Sequence, residues 1–95
     1  MKIGTTIKKL RKGKGYKQIE FAKRCSISQT YLSQLENDER NPTVDVLERI
    51  SKVLEIPFPV ISFLSLTVDN VPEEKREVYN KMEKVMFGIV ENVFI

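Results

Sequence analysis

Apolar residues recur along the chain with the period of an α-helix. Ile3, Ile7 and Leu10 stand at i, i+4 and i+7, one face of a first helix whose other face carries Lys8, Lys9, Arg11 and Lys12. Gly13 and Gly15 bracket its end, where glycine accepts a left-handed cap. Residues 18 to about 24 fit a short second helix, with Phe21 and Ala22 turned inward. After the turn Cys25-Ser26-Ile27, Ser28 is an N-cap for a third helix, its hydroxyl placed to accept from a free backbone N–H. Ile27 before that cap and Leu32 after it are spaced for a hydrophobic staple. Tyr31, Leu32 and Leu35 form the inward face, leaving Gln29, Thr30, Ser33 and Gln34 outside. Residues 37–42 read as a loop. Thr43 caps a fourth helix with Val46, Leu47, Ile50, Val53 and Leu54 at helical spacing. Pro57 and Pro59 end it and admit a fifth, short helix through about Leu64. A connector over 65–71 leads to Pro72-Glu73-Glu74, which opens a sixth helix. Its apolar face is Val78, Met82, Val85, Met86, Ile89, Val90, Val93 and Phe94. The pattern predicts an all-α chain: a compact five-helix domain over residues 1–64, then a connector and a C-terminal amphipathic helix over 65–95.

Ninety-five residues give one domain with a modest core. No apolar run approaches the roughly 20 residues of a membrane span. The first residues run straight into a charged amphipathic pattern, unlike a secretory leader. The single cysteine, Cys25, forms no disulfide framework or metal cluster and reads as a small buried apolar residue, so a reducing cytoplasm is expected. Histidine is absent. With no nucleophile–base pair, no metal cluster and no phosphate-cradling glycine loop, nothing points to an enzyme, and no cofactor or metal is expected.

The charge is unevenly spread. Residues 1–24 hold nine Lys or Arg against one acid, Glu20, while the remainder is net acidic. A positive field concentrated at one end is what a polyanion-binding surface needs, although a solvated lysine-rich helix has the same composition. The outer face of the third helix separates these readings. Solvated faces normally carry Lys and Glu; this one carries four uncharged hydrogen-bonding side chains.

Two short helices joined by a tight turn, the second capped and polar at its tip, describe a helix-turn-helix. The residues narrow this. Gly15-Tyr16-Lys17-Gln18-Ile19-Glu20-Phe21-Ala22, Ile27 through Asn37, Arg40-Asn41-Pro42-Thr43 and Leu47 through Ile56 together resemble the phage-repressor (Cro-type, XRE) helix-turn-helix regulators over roughly residues 3–64. The resemblance implies a lambda-repressor-like fold and a transcriptional regulator, a repressor by preference. It implies that Gln29, Thr30, Ser33 and Gln34 meet base edges of double-stranded DNA, an amide offering the donor and acceptor that grip adenine N6 and N7. It implies that Lys17, Gln18, Ser28, Tyr31, Arg40 and Asn41 lie along the DNA backbone, and that Glu36 ties the following loop to the third helix. Two positions depart from the family pattern. Lys17 stands where a Ser, Thr or Asn cap is usual, and Ser26 stands where the turn usually has glycine.

A lone helix-turn-helix reads too few base pairs to define a genomic address. A homodimer on a roughly palindromic operator is therefore expected, the arrangement for which this family is itself the standard example. Ile61 and Leu64 in the fifth helix, with Val78, Met82, Val85 and Ile89 in the sixth, are the candidate dimerisation residues. Gly88 beside that seam suggests a close approach by another backbone. The alternatives are that the last helix folds back on its own domain, or that the chain is an antitoxin-like interaction module. No membrane partner is expected, and no effector pocket is visible.

Overall fold

The computed structural model describes residues 2–66 and 68–95. Met1, in the expected first domain, and Thr67, in the expected connector, lie outside the described residues. The elements are α1 (Ile3–Gly13), α2 (Gln18–Arg24), α3 (Gln29–Glu36), α4 (Val44–Leu54), α5 (Phe58–Leu64) and α6 (Arg76–Phe94), with 3₁₀ turns at Val68–Asn70 and Glu73–Lys75 before α6. Three of the six helices, α3, α4 and α5, start where the sequence supplies a cap or a proline. Ser28 Oγ accepts from Tyr31 N–H at 3.0 Å, and Thr43 Oγ1 from Val46 N–H at 3.2 Å. Pro57 precedes α5 and Pro59 sits in its first turn. Lys17, at the head of α2, makes no side-chain cap bond, as its departure from the family pattern suggests.

The core lies where α1 to α5 meet. Ile7 and Leu10 of α1, Phe21 of α2, Leu32 and Leu35 of α3 and Ile50 and Leu54 of α4 are fully buried. These are the residues that the helical periodicity turns inward. Ala22 is buried beside them, small enough for α2 and α3 to cross closely, and Cys25 is a buried free thiol. Burial pushes that thiol up to about 11, with the Arg49 guanidinium working against the shift.

Several expectations change. Ile61 and Leu64 are 0% and 2% exposed inside this core, so they cannot serve as dimerisation residues without opening the domain. The last helix does fold back on its own chain: Val90 is fully buried in the same core, and Met86, Phe87 and Phe94 pack against it. Val78, Met82, Val85, Ile89 and Val93 remain outside, 46–66% exposed. Nothing comes within 4 Å of where a Cβ on Gly88 would sit, so no backbone of this chain approaches it. The start of α6 is tied to the connector by Tyr79 Oη donating to the Leu66 carbonyl at 2.7 Å and Arg76 Nε to that of Val71 at 3.1 Å.

Arg11, read from the sequence as part of the solvated face of α1, is buried and paired with Glu36. It stands four residues after Ile7, on the inward side. Among the described residues, no helix is long and apolar enough to cross a membrane.

Candidate nucleic-acid interface

The turn between α2 and α3 sets the pose of α3. Ser26 adopts φ +57°, the left-handed conformation that favours glycine and costs other residues roughly 1–2 kcal/mol. The position therefore does need positive φ, and a serine supplies it. Arg49, from α4, holds the turn: its Nη1 donates to the carbonyls of Cys25 at 3.1 Å and Ser26 at 2.9 Å. Asp45 orients the same guanidinium, accepting from Nη2 at 2.9 Å.

From this turn α3 projects a polar face. Gln29 and Thr30 are exposed, Ser33 and Gln34 half-buried. With Gln18 from the head of α2, these four side chains line one shallow concavity. The structure thus brings together the four expected base-contacting residues and one of the expected backbone contacts.

Behind the face stands a buried ion pair. Arg11 Nε lies 2.7 Å from Glu36 Oε2, and Nη2 donates to Glu36 Oε1 at 3.0 Å, with both side chains almost wholly buried. This bidentate fork satisfies the carboxylate from one side. From the other, Gln18 Nε2 donates to Glu36 Oε1 at 3.2 Å, and Gln29 Nε2 donates to Gln18 Oε1 at 3.2 Å. An unbroken chain of hydrogen bonds therefore runs from α1 through α3 and α2 to the tip of α3. Glu36 ties α3 to α1 and α2, not to the following loop as expected.

That loop is held by other groups. Asp38, at φ +59°, accepts from Gly4 N–H at 3.1 Å and from Thr5 Oγ1 at 2.9 Å, a carboxylate at the positive end of α1. Arg40 lies over the Tyr31 ring at 4.8 Å, and its Nη1 donates to Gln34 Oε1 at 3.3 Å. Tyr31 is half-buried beneath it, while Lys17, Ser28, Arg40 and Asn41 are exposed. The basic residues of the N-terminal third are not all available. Besides Arg11, Arg24 lies over the Tyr16 ring and 3.7 Å from Glu20, and Lys9 lies over the Phe87 ring.

Sequence reasoning missed Asp38 and Arg49 and misread Arg11. For Arg11 a signal existed: it is the one arginine among the lysines of α1, on the inward register. Asp38 and Arg49 act on carbonyls and N–H groups brought near them only by the tertiary fold, and they left no sequence signal.

A helix-turn-helix family model matches residues 7–61. The chain is 42% identical over 55 residues to the HTH-type transcriptional regulator SinR of Bacillus subtilis, covering 57% of this chain and 50% of that protein. It is 31% identical over 84 residues to the immunity repressor protein of Bacillus phage phi105, covering 88% of this chain and 56% of that one. To the ImmF control region 10 kDa protein of the same phage it is 37% identical over 67 residues, covering 70% and 74%. The chain thus spans about half the length of SinR and of the immunity repressor. No solved structure matches it.

Proposed function

The chain belongs to the helix-turn-helix family, among the Cro-type (XRE) regulators, and we propose that it binds duplex DNA and represses transcription. In this reading α3 lies in the major groove of a roughly palindromic operator, one α3 from each chain of a homodimer. The observation that carries it is the joint concavity of Gln18, Gln29, Thr30, Ser33 and Gln34, polar, uncharged and braced from behind. Gln29 and Gln34 read base edges, with Thr30 and Ser33 adding single hydrogen bonds or a thymine-methyl contact. Lys17, Gln18, Ser28, Tyr31, Arg40 and Asn41 run beside phosphates, which position without specifying.

Binding-site selection from random duplexes, then titration of variants, tests this. Gln29→Ala and Gln34→Ala should each cost about 1–3 kcal/mol on the selected site and little on random DNA. Lys17→Ala should weaken both equally and flatten the log–log salt slope by about 0.9, one phosphate's worth. Equal losses on both DNAs for the glutamine variants would make them backbone contacts and refute the assignment.

A further inference from the structure

The direction in which α3 leaves α2 depends on two rotations, the φ and ψ of Ser26. Peptide units are rigid planes, so these rotations are set by the planes on either side of the residue. The Cys25 carbonyl lies in one plane and the Ser26 carbonyl in the other. Arg49 Nη1 donates to both, at 3.1 and 2.9 Å, so one nitrogen from α4 fixes both rotations at once. The residue needs holding: serine at φ +57° sits in a region that glycine enters freely and other residues avoid. The N–H groups of the turn are already engaged by α2, Ser26 N–H donating to the Lys23 carbonyl at 3.1 Å and Ile27 N–H to that of Ala22 at 3.0 Å.

Two features mark Arg49 as held in this pose. Asp45, one helical turn earlier on α4, accepts from Nη2 at 2.9 Å, with the acid before the base in the favoured order. Nε is buried and has no hydrogen-bond partner among the described residues. A dry N–H costs free energy, which an arginine with no inward role would avoid by swinging into water. At the other end of the lever, Leu32 and Leu35 anchor α3 in the core. Its exposed tip, with Gln29 and Thr30, lies between Leu32 and the turn. A shift of about 1 Å at the tip is enough to spoil a paired donor–acceptor contact.

We propose that Arg49 is a positioning residue for base discrimination: it touches no base, and by fixing Ser26 it aims Gln29 and Thr30. The proposal rests on the DNA-binding reading above and assigns part of its specificity to α4.

Site selection from random duplexes, repeated with each variant, reads the effect. Arg49→Ala should lower the preference for the selected site over random DNA about 5- to 150-fold, the worth of one base contact. The loss should fall on the base pairs that Gln29→Ala also relaxes, not on those of Gln34→Ala. Adding Ser26→Gly should recover most of it, because glycine holds the φ of the turn without help. Adding Gly88→Ala, which gains helix propensity where nothing lies within 4 Å, should not. In the free protein, Arg49→Ala should speed hydrogen exchange at the Ser26 and Ile27 amides about 10-fold more than at Ile50, and Ser26→Gly should reverse this. Equal losses on both DNAs with a flatter salt dependence would make Arg49 a phosphate contact and overturn the proposal. So would recovery by Gly88→Ala, which reduces the effect to stability, or unchanged exchange at the turn. A wild type that selects no duplex refutes the DNA-binding reading itself, and the exchange result then decides alone whether Arg49 holds the turn.

Discussion

Gly4→Ala sets two effects of known size against each other. Alanine is worth about 1 kcal/mol more than glycine in the interior of a helix and less at Gly4, the second residue of α1, so propensity alone makes the variant slightly more stable. The structure reverses the sign. A Cβ at Gly4 would sit 1.9 Å from the Leu35 carbonyl oxygen, backbone of α3, and 2.5 Å from Asp38 Oδ1. Ordinary contact begins at 3.4 Å, so the start of α1 would have to back away from α3 by about 1.5 Å. Such overpacking typically costs about 1–3 kcal/mol. The movement also stretches the bonds from Gly4 N–H and Thr5 Oγ1 to Asp38, each of the charge-assisted kind worth about 1.5–3 kcal/mol, the exposed Thr5 bond at the low end or below. The net expectation is a loss of about 2–5 kcal/mol. For a domain of this size that lowers the thermal midpoint by about 8 °C or more, at about 4–8 °C per kcal/mol. Thermal and urea unfolding followed by circular dichroism give the answer. Gly88→Ala is the contrast: with nothing within 4 Å, it should gain by propensity. If Gly4→Ala melts at or above the wild-type temperature, α1 and α3 do not approach as described.

Three further outcomes are expected. Glu36→Ala leaves Arg11 buried and unpaired and should cost about 3–5 kcal/mol in urea unfolding, while Arg11→Met with Glu36→Leu should recover most of it; a loss below 1 kcal/mol for the single variant would contradict the burial of the pair. Ser26→Gly relieves a left-handed serine and should add roughly 1 kcal/mol, and Arg49→Ala should remove about 1–3 kcal/mol by freeing two turn carbonyls, both read from denaturant midpoints. Cys25, protonated far above pH 8, should resist thiol reagents at that pH until the chain unfolds; prompt stoichiometric labelling of native protein would contradict its burial.

The helices were legible because local signals and burial agree. The cap serines and threonines, the prolines at 57 and 59 and the periodic apolar faces place α1 to α5 almost to the residue. The polar face of α3 was legible for the opposite reason, a composition that a merely solvated helix would not carry. What could not be read was pairing across the fold. Arg11 next to Lys12 looks like one more surface cation until α3 brings Glu36 against it. Asp38 caps a helix that begins 35 residues earlier in the chain. Ile61 and Leu64 looked like spare apolar surface because the sequence does not say that the core closes over them. The last helix combines both cases: its seventeen-residue apolar pattern, Val78 to Phe94, was visible, but not its division into one side docked through Val90 and another left outside.

Under the DNA-binding reading proposed above, the buried pair also bears on specificity. A glutamine amide can present its donor and acceptor either way round, so an unbraced Gln29 would read two base edges equally poorly. Glu36 removes that freedom. Its carboxylate only accepts, so Gln18 must turn Nε2 toward it and Oε1 away. That oxygen then takes one N–H of Gln29, leaving Gln29 with one N–H and its own Oε1 for a base: one donor beside one acceptor, the pattern of the adenine major-groove edge. Gln34 is biased the other way. Its Oε1 already accepts from Arg40 and keeps one lone pair, so its two N–H donors are its freest groups, suited to the acceptors of guanine or thymine. If Arg40 leaves for a phosphate on binding, Gln34 regains its acceptor and the bias disappears. In the proposed reading the two glutamines, identical in chemistry, are thus prepared for different bases by what stands behind them, and removing Glu36 should relax discrimination at the Gln29 position while leaving the Gln34 position unchanged.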